Sequence, residues 1–322
     1  SSDGKLKEVR GITASNVSSI QIYSSTVNDF VADSSFTNND LTNFLSRTDV
    51  TDVTMSIDLS KSKVTALPAI NGYSLYINNN ITSITLPNNY QNEIDFGTAM
   101  WQVEKLEEVI VSDVNPKFTT ENGILYRKNS ETGKKEALIY YPSAKSGTSY
   151  TLPTGVTCLA PRCFMFNQNL ETITNLTQIT QFEDDGRGNH FRCCKKLKSI
   201  DLSNVTVVAP LKSSYGTFCS LQALETVKLS AAFTQIDGAW FTTCPNLKEV
   251  HFKSTTPLTI GNDCSSTFKF FVDGSNGDTY KTQLKIYVPT SAKSSYLNAT
   301  SGFANPDYNG VAAYLGSMLV SE

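Results

Sequence analysis

The sequence predicts an α/β solenoid whose coils each contribute one short strand. Three observations predict it. A pattern recurs without gaps at long intervals, each copy carries the two-residue spacing of a strand, and the large core residues are mostly aromatic. Hydrophobic residues make up 39% of the 322-residue chain, a low fraction for a compact enzyme, yet 17 Phe and 14 Tyr supply bulk. A core is therefore attainable by area, though not a generous one.

The repeat is explicit over four segments, Phe164 to Ile173, Phe191 to Leu202, Phe218 to Leu229 and Phe241 to Phe252. Each places Phe six residues before Leu and an aliphatic residue three further on. The anchors Leu170, Leu197, Leu224 and Leu247 step by 27, 27 and 23 residues. Less regular copies precede them: Met100 with Leu106, Val109 and Val111; Leu75 with Ile81, Ile84 and Leu86; Phe44 with Val50, Val53 and Met55. Val17-Ser-Ser-Ile20-Gln-Ile22 fits the strand half alone. In Leu-x-x-Ile-x-Leu the last two apolar residues share one face of a strand, while Phe and the first Leu lead into it. One such unit cannot bury its apolar face; stacked units form a continuous core. Asparagines and Pro245 favour tight geometry at the turn. An ordinary β-sandwich would need four gapless matches by coincidence.

The Phe-x-x-Cys-x-x-Leu-x-x-Ile phase, fullest in Phe191 to Ile200 and Phe241 to Val250, resembles the BspA-type leucine-rich repeats of bacterial surface proteins. Asn122 to Tyr126, Leu138 to Pro142 and Tyr150 to Val156 are similar to further segments of that family. Lys285 to Pro289 followed by Tyr296 resembles its terminal strand and cap. The likeness covers roughly residues 50–300. It implies a right-handed leucine-rich-repeat solenoid, strand-rich, with short helical or irregular turns. It also implies surface location and adhesion to proteins, cells or glycans; the scaffold itself does not fix a ligand.

Residues 1–49 read as a polar, β-leaning capping region with a short helix near Leu41–Leu45. The solenoid is expected over 50–289 and a C-terminal cap over 290–322, with no linker. Residues 113–149 interrupt the repeat: Gly123 to Tyr126 and Ala137 to Tyr140 flank a charged tip, Lys128 to Lys135, which signals a hairpin. A second excursion, 254–283, is rich in Gly, Asp and Ser. Ser1-Ser2-Asp3-Gly4 reads as a mature start after a removed export signal or beside a lipidated cysteine. No apolar run approaches the roughly 18 residues that span a bilayer. The net charge of −3, from 27 basic and 30 acidic residues scattered along the chain, lacks the basic stripe of a nucleic-acid binder.

Seven cysteines cannot all pair. Cys194 and Cys244 stand three residues before their anchor leucines, where Leu221 and Val103 also stand, so they read as small buried hydrophobes. Cys193 and Cys219 fall outside that phase and are the disulfide or exposed-thiol candidates. His190 and His251 are the only imidazoles, and no metalloprotease, serine-hydrolase, phosphate-loop or dinucleotide motif occurs. Glu183 to Asn189 and Asp273 to Asp278 cluster oxygens but read as solvated turns before calcium sites. No metal or cofactor is implied.

Residues between the two strand aliphatics point outward. Thr174, Asp201, Lys228 and His251 are therefore expected as one ladder, and Thr172, Ser199, Thr226 and Glu249 as its neighbour. Such a face reads first as a solvated sheet surface, since cross-strand charge pairs stabilise sheets by themselves, and second as a ligand patch. Trp240 and Trp101 sit beside anchor positions and are candidates for displacement from the core, as are Tyr140 and Tyr141, one of which must face inward. The ligand-binding candidates are thus Asp201, Lys228, His251, Glu249 and Trp240. Three readings follow: a monomeric, extracellular binding module for protein or glycan; a carbohydrate-active enzyme or its accessory subunit, using two carboxylates that leave no motif; and a structural spacer.

Overall fold

The computed structural model describes residues 8–12, 29–45, 54–67, 81–92, 103–185, 188–209, 216–236, 240–241, 243–260, 284–298 and 318–322. The chain divides into two units, Ser1–Ser146 and Gly147–Glu322. Sequence expectations for Val17, Ile20, Ile22, Val50, Val53, Leu75, Met100, Trp101, Cys264 and Asp273 to Asp278 lie outside the described residues.

In the first unit, β1 (Glu8–Ile12), β2 (Asp29–Ala32), β3 (Met55–Asp58), β4 (Ile81–Thr85) and β5 (Glu108–Ile110) form one parallel sheet in chain order. Phe30, Ile57, Ile84 and Val109 stand in register, one per coil, and all are buried. Helix α1 (Asn38–Leu45) starts at a cap in which the Asp40 carboxylate reaches back to Thr37. The Thr37 amide and hydroxyl both donate to Asp40 Oδ2, at 2.8 and 2.6 Å. The helix buries Leu41, Phe44 and Leu45, with Phe44 against Phe30 at 5.0 Å. Asn38 Oδ1 accepts the Thr65 amide at 2.9 Å, tying the helix to the following coil.

The expected hairpin is present, with a third strand. β6 (Phe118–Glu121), β7 (Ile124–Lys128) and β8 (Lys135–Tyr140) run antiparallel, and Lys128 faces Lys135 at the tip. Asn122 and Gly123 turn β6 into β7 with φ of 51° and 76°, the two left-handed residues of a tight hairpin turn. This turn lies on β5: the Val109 amide donates to Gly123 O at 2.9 Å, and a Cβ on Gly123 would stand 2.5 Å from Glu108 Cβ. Tyr140 and Tyr141 are both buried, so neither offers a surface ring. The alternation that would expose one of them ends with the strand at Tyr140.

In the second unit, β9 (Ser149–Thr151) pairs in parallel with β11 (Thr172–Thr174). β13 (Ser199–Leu202), β15 (Thr226–Leu229), β17 (Glu249–Phe252), β19 (Lys285–Val288) and β20 (Leu319–Ser321) make a five-stranded parallel sheet. Shorter strands line another side of the coils. β10 (Cys158–Leu159), β12 (Gln181–Phe182) and β14 (Val207–Val208) pair in turn, as do β16 (Gln235–Ile236) and β18 (Thr259–Ile260).

Columns of like residues fill the core. Leu170, Leu197, Leu224 and Leu247 are buried, as are Ile173, Ile200, Val227, Val250 and Ile286. Phe164, Phe191, Phe218 and Phe241 stack nearly parallel, with centroids 5.4, 5.9 and 5.3 Å apart. The turn after each Phe repeats one geometry: Phe166, Cys193, Ser220 and Thr243 all have φ between 58° and 63°. These side chains bear a left-handed backbone at roughly 1–2 kcal/mol each. Recurring inter-coil bonds offset the cost: Phe164 N donates to His190 O and Phe191 N to Thr217 O, then Phe166 N to Arg192 O and Cys193 N to Cys219 O.

After β19 the chain turns at Pro289 into α2 (Lys293–Asn298), whose Tyr296 is buried. Its ring stacks on Phe252 at 6.5 Å, and its hydroxyl donates to Ser254 O at 3.1 Å. Among the described residues no helix is long and apolar enough to cross a membrane.

Gly123→Ala must move Glu108 as well as adopt a left-handed backbone, and is expected to cost about 2–4 kcal/mol. Gly133, at φ 67° with nothing within 4 Å of its would-be Cβ, is the control, expected to cost about 1 kcal/mol. Urea unfolding midpoints of the two variants test the difference.

Candidate functional site

Strand alternation turns Ile200, Val227, Val250 and Ile286 inward and leaves the residues on either side facing out. The register aligns Asp201, Lys228, His251, Tyr287 and Val320 in one outward column. Ser199, Thr226, Glu249 and Lys285 form the column beside it. The expected rungs Asp201, Lys228 and His251 are thus consecutive. Thr172 and Thr174 lie instead in the β9/β11 pair, where Thr174 Oγ1 donates to Thr151 Oγ1 at 2.8 Å. Asn175, with φ 64°, and a 3-10 turn at Leu176–Gln178 end β11 after three residues.

His251 is the centre of the face. Its Nδ1 lies 2.7 Å from Glu322 Oε2, its Nε2 lies 3.6 Å from Glu249 Oε2, and only 15% of the side chain is exposed. Tyr287, one rung on, stacks on the imidazole at 4.3 Å and 7°. Parallel rungs about 4.8 Å apart bring flat rings into such a stack when both project from one column. Asp201 Oδ1 accepts the Ser203 amide at 3.0 Å, which fixes its carboxylate at the strand end.

Two parts of this face escaped sequence reasoning. Tyr287 was legible, since Lys285-Ile-Tyr-Val repeats the same alternation. Glu322 was not, because it reaches His251 from 71 residues away. Also unforeseen is a column one residue after the anchor leucines: Glu171, Lys198, Glu225 and Lys248. Backbone bonds link successive members, and the side chains pair at 2.6 Å (Lys198 with Glu171) and 3.1 Å (Lys248 with Glu225).

Trp240 does not belong to any surface patch. It is 1% exposed, packed edge-on against Phe218 at 5.1 Å and against Phe241 at 6.2 Å. Its position, one before the stacked Phe, is buried in every coil, by Cys163, His190, Thr217 and Trp240 in turn. Alternation expels a residue from a strand; this is a turn, where two successive residues both face inward.

The cysteines sort by the same columns. Cys194 Sγ donates to Phe164 O at 2.9 Å and Cys244 Sγ to Phe218 O at 3.0 Å, and burial pushes both thiols far above their ordinary range. Cys193 is half-buried and Cys219 buried; no disulfide links the six described cysteines.

A polar cluster joins Arg162, which follows β10, to the loop after β12. Arg162 is almost fully enclosed, and its two terminal nitrogens donate to the Asp185 carboxylate at 3.1 and 2.5 Å. The Gly188 amide donates to Asp184 Oδ1 at 2.8 Å, so Asp184 is engaged within its own loop and Asp185 by Arg162 of the preceding coil. His190 is buried against Phe182, with ring centroids 3.8 Å apart, and its Nε2 lies 2.6 Å from Glu183 O. A carbonyl can only accept, so Nε2 carries the proton and Nδ1 is left without a hydrogen-bond partner. Burial, with Arg162 nearby, lowers the His190 pKa from 6.5 to about 3.

Comparison with known proteins places a BspA type leucine-rich repeat region, in six copies, over residues 140–269. No curated protein sequence matches the chain. Among solved structures, a leucine-rich repeat protein from Eubacterium ventriosum ATCC 27560 is 21% identical, with a TM-score of 0.49, covering 88% of this chain and 78% of that one. A leucine rich cell surface protein from Faecalibacterium prausnitzii A2-165 is 14% identical, with a TM-score of 0.35, covering 76% of this chain and 83% of that one. The pneumococcal vaccine antigen PcpA is 16% identical, with a TM-score of 0.39, covering 98% of this chain and 66% of that one.

A histidine kept neutral by burial makes stability depend on pH. Below 6.5 the unfolded chain binds a proton that the folded chain refuses until about 3. Stability should therefore fall as pH drops through that window, by up to about 1.4 kcal/mol per unit. His190→Gln should flatten this slope in thermal melts between pH 7 and 4. An unchanged slope would place the acid sensitivity elsewhere.

Proposed function

We propose that this chain, a leucine-rich-repeat protein of the BspA type over residues 140–269, is an extracellular binding module that holds a protein partner on the second unit's sheet face. The supporting observation is the outward column Asp201, Lys228, His251 and Tyr287, flanked by Glu249, Lys285 and Glu322. The inward columns account for folding, so this mixed, partly desolvated set of charges and rings is free to vary with the ligand. Rings fixed by stacking lose little entropy on contact, which suits a binding surface.

Protein is favoured over glycan by the seating of Tyr287. One ring face is covered by His251, and Val320 is the next rung on the other side. Edges rather than faces are offered, whereas sugars stack on faces. Glu249 and Glu322, two carboxylates of this face, address the two nitrogens of one imidazole, so the His251 ring stands where a glycosidase pair would hold its scissile bond. The family resemblance supports the extracellular location.

Purified chain screened against extracellular-matrix proteins and a glycan panel should bind at least one protein. Asp201→Ala/Lys228→Ala/His251→Ala should weaken that binding tenfold or more. Binding untouched by the triple change would move recognition to the hairpin at 118–140. Silence across the panel would leave the spacer as the better reading.

A further inference from the structure

The pattern of buried cysteines leaves one pair apart. Cys194 and Cys244 spend their thiols on carbonyls of neighbouring coils, and Cys158 and Cys163 are sealed in the core. Cys193 stands at the left-handed turn position of its coil, half-exposed, and its amide donates to the carbonyl of Cys219 on the next coil at 3.0 Å. A backbone bond of that length holds the two Cα atoms within the roughly 4.4–6.8 Å that a disulfide spans. Cys219 Sγ lies 3.3 Å from Ser220 Oγ, whose residue holds the left-handed turn position on its coil that Cys193 holds on its own.

We propose that Cys193 and Cys219 are a redox pair that closes into an inter-coil disulfide when the protein meets a peroxide. Cys193, the more exposed, reacts first. Its thiolate attacks a peroxide oxygen, the O–O bond breaks, and water leaves as sulfur becomes a sulfenic acid. The Cys219 sulfur then attacks that sulfur, the S–O bond breaks, and the hydroxyl departs as water with the Cys219 proton. Two thiols and one hydrogen peroxide thus give one disulfide and two waters. Arg192 favours the attacking thiolate, while burial opposes it and holds the Cys193 pKa above its ordinary value. Closure should therefore quicken as pH rises. The left-handed Cys193 and Ser220 turns lie outside the strands, so the sulfurs can approach without breaking a sheet bond.

The test is a peptide map of the full chain, reduced, treated with hydrogen peroxide, alkylated and digested without reductant. The expected product is a Cys193 peptide linked to a Cys219 peptide, with the loss of two hydrogen atoms. Cys193→Ser and Cys219→Ser should each abolish the link, and dimedone should then label Cys193 in Cys219→Ser. The idea is sunk if Cys219 in the wild-type chain stays alkylatable after Cys193 has oxidised. It is equally sunk if the link survives in Cys193→Ser, which would make Cys194 the partner. The wild-type map decides even where a variant folds poorly.

Discussion

Neighbouring coils of a parallel solenoid stand about 4.8 Å apart, and nearly everything in this molecule follows from that spacing. A residue at a given phase meets, above and below, the residues of the same phase. Large flat rings tolerate such repetition well, because they stack at close to their own thickness. The column Phe164, Phe191, Phe218 and Phe241 does so with interplanar angles of 8–14°. The anchor leucines and strand aliphatics fill the remaining width. The backbone of a neighbouring coil can receive a polar atom inside this stack, as it receives the Cys194 and Cys244 thiols. The same spacing makes the outward face a grid, so that His251 finds Tyr287 beneath it without either having been placed by a loop.

The grid was largely legible in the sequence, since a two-residue alternation inside a fixed phase needs no tertiary knowledge. That is why Asp201, Lys228 and His251 could be aligned in advance. Reasoning failed where a strand rule was carried into a turn. Trp240 was judged by its neighbour Phe241, when the comparison that mattered was with Cys163, His190 and Thr217 one coil apart. Tyr140 and Tyr141 failed for a related reason, at the end of a strand. The left-handed turns at Phe166, Cys193, Ser220 and Thr243 carry none of the glycines that normally announce such a backbone. Glu322 could not be foreseen, because only the return of β20 to the sheet brings it to His251.

The second unit separates two kinds of polar residue. On the sheet face, carboxylates and amines remain partly in water, where each can be exchanged at modest cost. Around the loop after β12, Arg162 and His190 are enclosed, and replacing Asp185 would strand the Arg162 guanidinium in a poor solvent for charge. The first set can change without disturbing the fold; the second ties Phe191's coil to the one before it and is constrained as a core is constrained. Polarity alone would have placed both sets in the same class.

The alternating column Glu171, Lys198, Glu225 and Lys248 bears on how such an array changes length. Excising the coil that carries Lys198 would leave Glu171 beside Glu225, two like charges on adjacent rungs. Excising two coils would set Glu171 beside Lys248 and restore the match. The array therefore has a parity: it accepts gain or loss of coils in pairs more readily than singly. A stretch of surface charge, of little weight for stability, thus distinguishes a coil from its neighbour where the buried columns treat them alike.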